Sequence, residues 1–147
     1  MNVSVFLAPD NVVIGLTVAD KKAALLELAH YAGTKLDVPA DVILAALKKR
    51  ESLGSTGVGA GVAIPHARLA SFSKPWGMLV RTRAPIDYDS VDRKPVDLIF
   101  LLLLSERSDD EALGSLASIA RKLRDPAVAA ALRTARQASQ MYAAVTD

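Results

Sequence analysis

The chemistry in this chain centres on a histidine at the end of a run of small residues. The run is Gly54-Ser55-Thr56-Gly57-Val58-Gly59-Ala60-Gly61-Val62-Ala63-Ile64-Pro65, and His66 follows it. Pro65 fixes the backbone before the imidazole, and Ala67 leaves the ring unobstructed. His66 is expected at the carboxyl end of a short strand, where ligand sites of open α/β sheets gather. Upstream, Gly57, Gly59 and Gly61 let backbone N–H groups come close to an anion. Ser55 and Thr56 offer hydroxyl donors. Arg50, at the end of the preceding helix, offers a guanidinium fork for phosphate oxygens. This set suits phosphoryl transfer to an imidazole. One ring nitrogen attacks with a free lone pair, while the other gives its proton to a fixed acceptor such as a backbone carbonyl and so selects the tautomer. The remaining work is positioning and charge stabilisation. A donor with a nitrogen–phosphorus bond of similar energy makes the transfer nearly reversible, with no metal and no cofactor.

Other chemistries fit less well. No Gly-Lys-Ser/Thr follows the glycines, so they do not form a P-loop. No Gly-x-Ser-x-Gly elbow is present. The chain has no cysteine and only one other histidine, so a histidine-based metal site is poorly supplied. That other histidine, His30, sits beside Tyr31 in a helix-patterned segment and reads as a partly exposed helix residue. A Pro-His pair after a strand is also a common structural turn, and the residues by themselves leave both readings open.

The elements that must position these residues follow from periodicity and stop signals. Val12 to Leu16 reads as a first strand. Asp20 caps a helix whose apolar residues Ala24, Leu25, Leu28 and Ala32 lie at helical spacing, with Gly33 as its stop. Pro39 opens a second helix that runs to about Arg50–Ser52. A short strand, Val62 to Ile64, stops at Pro65. Trp76 to Ala84 is a strand, Pro85 to Pro95 a polar connection, and Asp97 to Leu104 a strand apolar enough to be covered on both faces. Helices are expected at about Asp110 to Leu123, Ala127 to Thr134 and Ala138 to Val145. Strands separated by helices predict an α/β fold: a mixed central β-sheet covered by helices on both faces, in a single domain.

Composition narrows the class. The 147 residues are 51% hydrophobic, with 18 basic and 16 acidic side chains and a net charge of +2. Such a balance does not point to nucleic acid. Lys48–Lys49–Arg50 and Arg121–Lys122–Arg124 lie near predicted helix ends, where positive charge suits the dipole. The longest apolar run, Leu98 to Leu104, is too short to span a bilayer, which needs roughly 20 residues. Met1 to Asp10 lacks the pattern of a signal peptide. A cytoplasmic protein without membrane insertion is expected.

The segment Arg50-Glu51-Ser52-Leu53 through Pro65-His66 resembles the active-site motif of the phosphotransferase system enzyme IIA family of the fructose/mannitol type (type 2), closest to its stand-alone nitrogen-regulatory branch. The resemblance continues through Pro85-Ile86-Asp87-Tyr88, Pro95-Val96-Asp97-Leu98-Ile99-Phe100 and Ile119-Ala120-Arg121-Lys122-Leu123, so residues 1–147 resemble one enzyme IIA type-2 domain. It implies that His66 accepts a phosphoryl group from a histidine-containing phosphocarrier protein and that Arg50 binds the phosphate. It also implies downstream partners, either regulatory target proteins or an enzyme IIB. One departure stands out. Ala112, in Ala112-Leu113-Gly114-Ser115-Leu116, occupies the place of a second histidine that lies beside the phosphorylated one in the family. Its loss removes a possible donor to the phosphate, and a solvent-filled gap is expected between residue 112 and His66. Slower transfer is then expected, and a module that binds partners without transferring phosphate is the alternative.

Overall fold

Val96–Ser105 is the strand on which the fold is built, and its burial follows its composition. Leu98, Phe100, Leu102 and Leu104 enter one apolar cluster, while Ile99, Leu101 and Leu103 enter another. Apolar at every position from Leu98 to Leu104, the strand supplies a core to both faces of its sheet. In the computed structural model, which describes residues 2–107 and 109–147, this strand is β6. The others are β1 (Leu7–Leu16), β2 (Gly57–Gly59), β3 (Val62–Ala63), β4 (His66–Leu69) and β5 (Trp76–Ile86). They form one sheet in the order β1-β5-β6-β3-β2, with β4 also paired to β6. β1 runs parallel to β5, β5 antiparallel to β6, and β3 and β4 parallel to β6. The sheet is therefore mixed.

Helices α1 (Lys21–Leu36) and α2 (Ala40–Glu51) cover one face through Leu25, Leu28, Ile43 and Leu47. Helices α3 (Asp109–Arg124), α4 (Pro126–Thr134) and α5 (Ala138–Thr146) cover the other through Ile119, Leu123, Leu132, Met141 and Val145. The expected α/β architecture with both faces covered is the one observed. Asp20 caps α1 as expected, its carboxylate accepting from the Ala23 N–H at 2.9 Å.

Some details differ from expectation: β2 forms where only a turn was expected, β3 ends at Ala63 rather than Ile64, and β5 runs on to Ile86 rather than stopping at Ala84. β1 begins at Leu7 rather than Val12, because a register shift between Leu7 and Val12 carries the strand past Pro9 and Asp10, both poor strand residues. Gly33 does not stop α1. The helix runs on to a left-handed cap at Asp37, and the glycine instead admits the returning chain, since a Cβ there would lie 2.7 Å from the Val38 carbonyl oxygen. The strand β4 was not expected at all. His66 therefore opens a strand of its own as well as following the end of β3.

Candidate functional site

The backbone around His66 is a parallel strand interrupted in the middle. Val62 and Ala63 pair with Leu98 and Ile99, and His66 resumes the pairing at Leu102. Ile64 and Pro65 make the break. Proline has no N–H to leave unpaired there, and its carbonyl still accepts from the Leu102 N–H at 3.0 Å. The interruption exposes one side of the imidazole while β6 holds the chain on both sides of it.

Both ring nitrogens have a partner. Nδ1 lies 2.9 Å from the Ile64 carbonyl oxygen. A carbonyl can only accept, so Nδ1 carries the proton and Nε2 the lone pair. Arg50 confirms that assignment, donating from Nε to His66 Nε2 at 3.1 Å. Its Nη1 donates to the Gly54 carbonyl at 2.8 Å, which orients the guanidinium. Burial, more than any other influence, pulls the His66 pKa below its ordinary 6.5; the Ile64 bond opposes this, Arg50 and Arg68 add to it, and Glu51 opposes it. The imidazole is thus neutral at pH 7, with its lone pair at Nε2, where the Arg50 Nε–H holds it. The cleft that opens onto it is bounded by α2 at Lys49 and Arg50, by Leu53, by Arg68 of β4, and by Leu104 and Leu116.

The structure thus brings Arg50 to His66. It does not bring the rest of the expected set. Thr56 is 3% exposed, and its hydroxyl lies 2.5 Å from a Glu51 carboxylate oxygen and 3.1 Å from the Tyr88 hydroxyl. Ser55 Oγ accepts from the Gly57 N–H at 3.1 Å. Neither hydroxyl is spare. The glycines serve other approaches. A Cβ on Gly57 would lie 2.8 Å from Ser90 Cα, one on Gly59 3.4 Å from an Asp92 oxygen, and one on Gly61 2.5 Å from Arg133 Nη2. They let the turn pack against the connection before β6 and against α4, and they cradle nothing at His66. Pro65 acts as expected, by ending the first half of the strand. His30 lies exposed on α1. Ala112 is 2% exposed within the apolar cluster on the α3 side. Leu104 and Leu116 form the nearby wall of the cleft. The solvent-filled gap expected at residue 112 is therefore not observed.

Sequence reasoning missed the group that holds the turn leading to His66. Glu51 accepts from the Thr56 N–H at 3.0 Å and pairs with Lys21 at 2.9 Å. Lys21 also stands over the Tyr88 ring, 5.0 Å from its centroid. Burial pushes the Tyr88 phenol well up, so it stays protonated as a hydrogen-bonding hydroxyl. A signal was present in the sequence: an acid in the last turn of a helix opposes the dipole, and such a residue needs partners elsewhere.

A family model described as "Phosphoenolpyruvate-dependent sugar phosphotransferase system, EIIA 2" matches residues 5–147. The chain belongs to this enzyme IIA family. Among its relatives, a nitrogen regulatory protein of Bradyrhizobium diazoefficiens is 42% identical over 142 residues, covering 97% of this chain and 93% of that one. A solved nitrogen regulatory protein, IIA-Ntr from Neisseria meningitidis, superposes with a TM-score of 0.92 at 34% identity, covering 98% and 99% of the two chains. The mannitol enzyme IIA of Escherichia coli shares the fold, with a TM-score of 0.78 at 16% identity over 94% and 97% of the chains. Among the described residues, this enzyme IIA has no helix long and apolar enough to cross a membrane.

Proposed function

We propose that this enzyme IIA carries a phosphoryl group on Nε2 of His66 and acts as a phosphorylation-dependent regulator of the nitrogen-regulatory type. The observation that carries the reading is the pair of bonds on the imidazole, Nδ1 to Ile64 and Arg50 to Nε2. The donor is a histidine-containing phosphocarrier protein. Its nitrogen–phosphorus bond breaks, and that electron pair returns to the donor ring. The Arg50 Nε–H releases the Nε2 lone pair of His66, which forms the new bond, while the proton stays on Nδ1, hydrogen-bonded to the Ile64 carbonyl. Arg50 already stands at the point of entry, and its fork is suited to the phosphate oxygens as charge builds there. A change of about two negative charges at one surface point is enough to make or break an interface.

The test is transfer from labelled phosphoenolpyruvate through the phosphocarrier chain. His66→Ala should abolish labelling, and His30→Ala should leave it intact. The label should be acid-labile and base-stable, as a phosphoramidate is. Undiminished labelling of His66→Ala overturns the assignment. A second reading has its own support. One structural neighbour of the chain is a mannitol enzyme IIA solved in complex with phosphorylated enzyme IIB. In that reading His66 passes its phosphate to an enzyme IIB in sugar uptake. Onward transfer to a purified enzyme IIB, measured beside binding to regulatory targets, separates the two.

A further inference from the structure

Each bond that fixes the imidazole can be followed back through the backbone. On the Nδ1 side, His66 bonds the Ile64 carbonyl, the Ile64 N–H donates to the Thr56 carbonyl at 2.9 Å, and the Thr56 N–H donates to Glu51 Oε1 at 3.0 Å. On the Nε2 side, Arg50 Nε donates to His66, Arg50 Nη1 donates to the Gly54 carbonyl, and the Gly54 N–H donates to the Glu51 carbonyl at 3.1 Å. The two paths meet at the same residue. One uses the side chain of Glu51 and the other its main chain, and together they close a ring of hydrogen bonds around His66.

We propose that Glu51 is the positioning residue for phosphoryl transfer at His66, holding the acceptor tautomer and the phosphate-binding arginine in register through this closed ring. The proposal rests on the phosphocarrier reading. Glu51 does not touch the reacting atoms. Its side chain is 7% exposed, and burying a carboxylate is costly unless it is fully partnered. Here Lys21, the Thr56 N–H and the Thr56 hydroxyl partner it. Only one side of the carboxylate's work, the Lys21 pair, bears on α1; the rest bears on the turn that ends at Ile64 and so on the imidazole. Lys49, Arg50, Arg68 and Glu106 are the other charged groups that face the cleft of His66. Against the cations among them, Glu51 is the charge that opposes loss of basicity at Nε2.

The test compares wild type with Glu51→Ala, Glu51→Gln and Glu51→Asp, each at a temperature where it is fully folded. Glu51→Ala should slow phosphoryl acceptance by about ten- to a hundredfold, the loss expected for a charge-assisted bond. Glu51→Gln should fall between, because an amide still accepts from the Thr56 N–H, and Glu51→Asp should recover part of the rate. Nitrogen-15 spectra of the His66 ring give a second readout, independent of phosphate. Wild type should show the Nδ1–H tautomer, and Glu51→Ala should show a mixture with Nε2–H. Met141→Ala, destabilised to a similar degree in the opposite half of the core, should keep both the rate and the tautomer. Wild-type rate together with an unmixed Nδ1–H tautomer in Glu51→Ala overturns the proposal. Loss of rate in Met141→Ala to the same extent also overturns it, by making the effect one of stability alone. Absence of labelling in wild type is a distinct failure, that of the phosphocarrier reading.

Discussion

Arg50 stands on the lone pair that His66 needs for its reaction. The contact keeps the ring neutral at Nε2 and places a cation where phosphate arrives. Arg50→Ala is expected to slow transfer by about ten- to a hundredfold, one charge-assisted bond's worth. Arg50→Lys should restore only part of it, because an ammonium lacks the planar fork. Rates from rapid quench with the purified phosphocarrier check both. The pH dependence has a definite sign. In the unfolded chain the imidazole takes its proton near 6.5, whereas the buried ring of the folded protein takes it at lower pH. Between those values the unfolded state binds more protons, so stability falls as pH drops from about 6.5 and the fall ends below the folded value. Transfer should hold into the same window, and an NMR titration of His66 beside a rate profile measures both. At this scale the meeting of Arg50 with His66 was legible in the sequence, because Pro-His after a glycine run and a basic helix end are local signals. Glu51, Tyr88 and Lys21 were not, since their meeting depends on chain segments 30 or more residues apart, as in the Thr56–Tyr88 contact with its separation of 32.

Between Glu51 and His66 the turn and two short strands are shaped by close approach. Gly57 faces the main chain at Ser90, which has no flexible end to move aside. Gly57→Ala should therefore cost about 1–3 kcal/mol of stability. Gly61 has φ of +79°, and its missing Cβ leaves room for the Arg133 guanidinium that pairs with Asp97 and donates to the Ala60 carbonyl at 2.8 Å. Gly61→Ala should lower stability by a similar amount, about 1–3 kcal/mol, through strain and loss of that clamp. Urea unfolding measures both losses, while transfer by the folded variants should match wild type. Any other result returns the glycines to the phosphate site. Ala112 belongs to α3 one turn before Leu116, on the same helix face. Ala112→His forces a larger ring into space that is 2% exposed. It should cost about 1–3 kcal/mol and should raise transfer several-fold if the ring turns toward the cleft. A stability loss with an unchanged rate would mean that this position contributes nothing to phosphate. The glycine run was legible as a turn, but not the surfaces it approaches, because a missing side chain says nothing about what fills its place.

Over the whole molecule, the alternation along β6 divides the interior into two half-cores. The strand pattern and helix stops announced that arrangement, since continuous apolar runs and amphipathic helices leave few ways to bury both. What they did not announce was the pairing order, because β4 joins β6 only through a broken strand whose second half is four residues long. That break places the cleft of His66 where the layers meet. Its walls come from α2, which belongs to one half-core, and from Leu116 of α3, which packs on the other. The consequence is for how binding is felt at a distance. A protein seated on this cleft presses on helices from opposite faces of the sheet and so joins, from outside, two bodies that the sheet otherwise keeps apart. Amide hydrogen exchange should then slow together along α2 and α3 when a partner docks, and change little along α5.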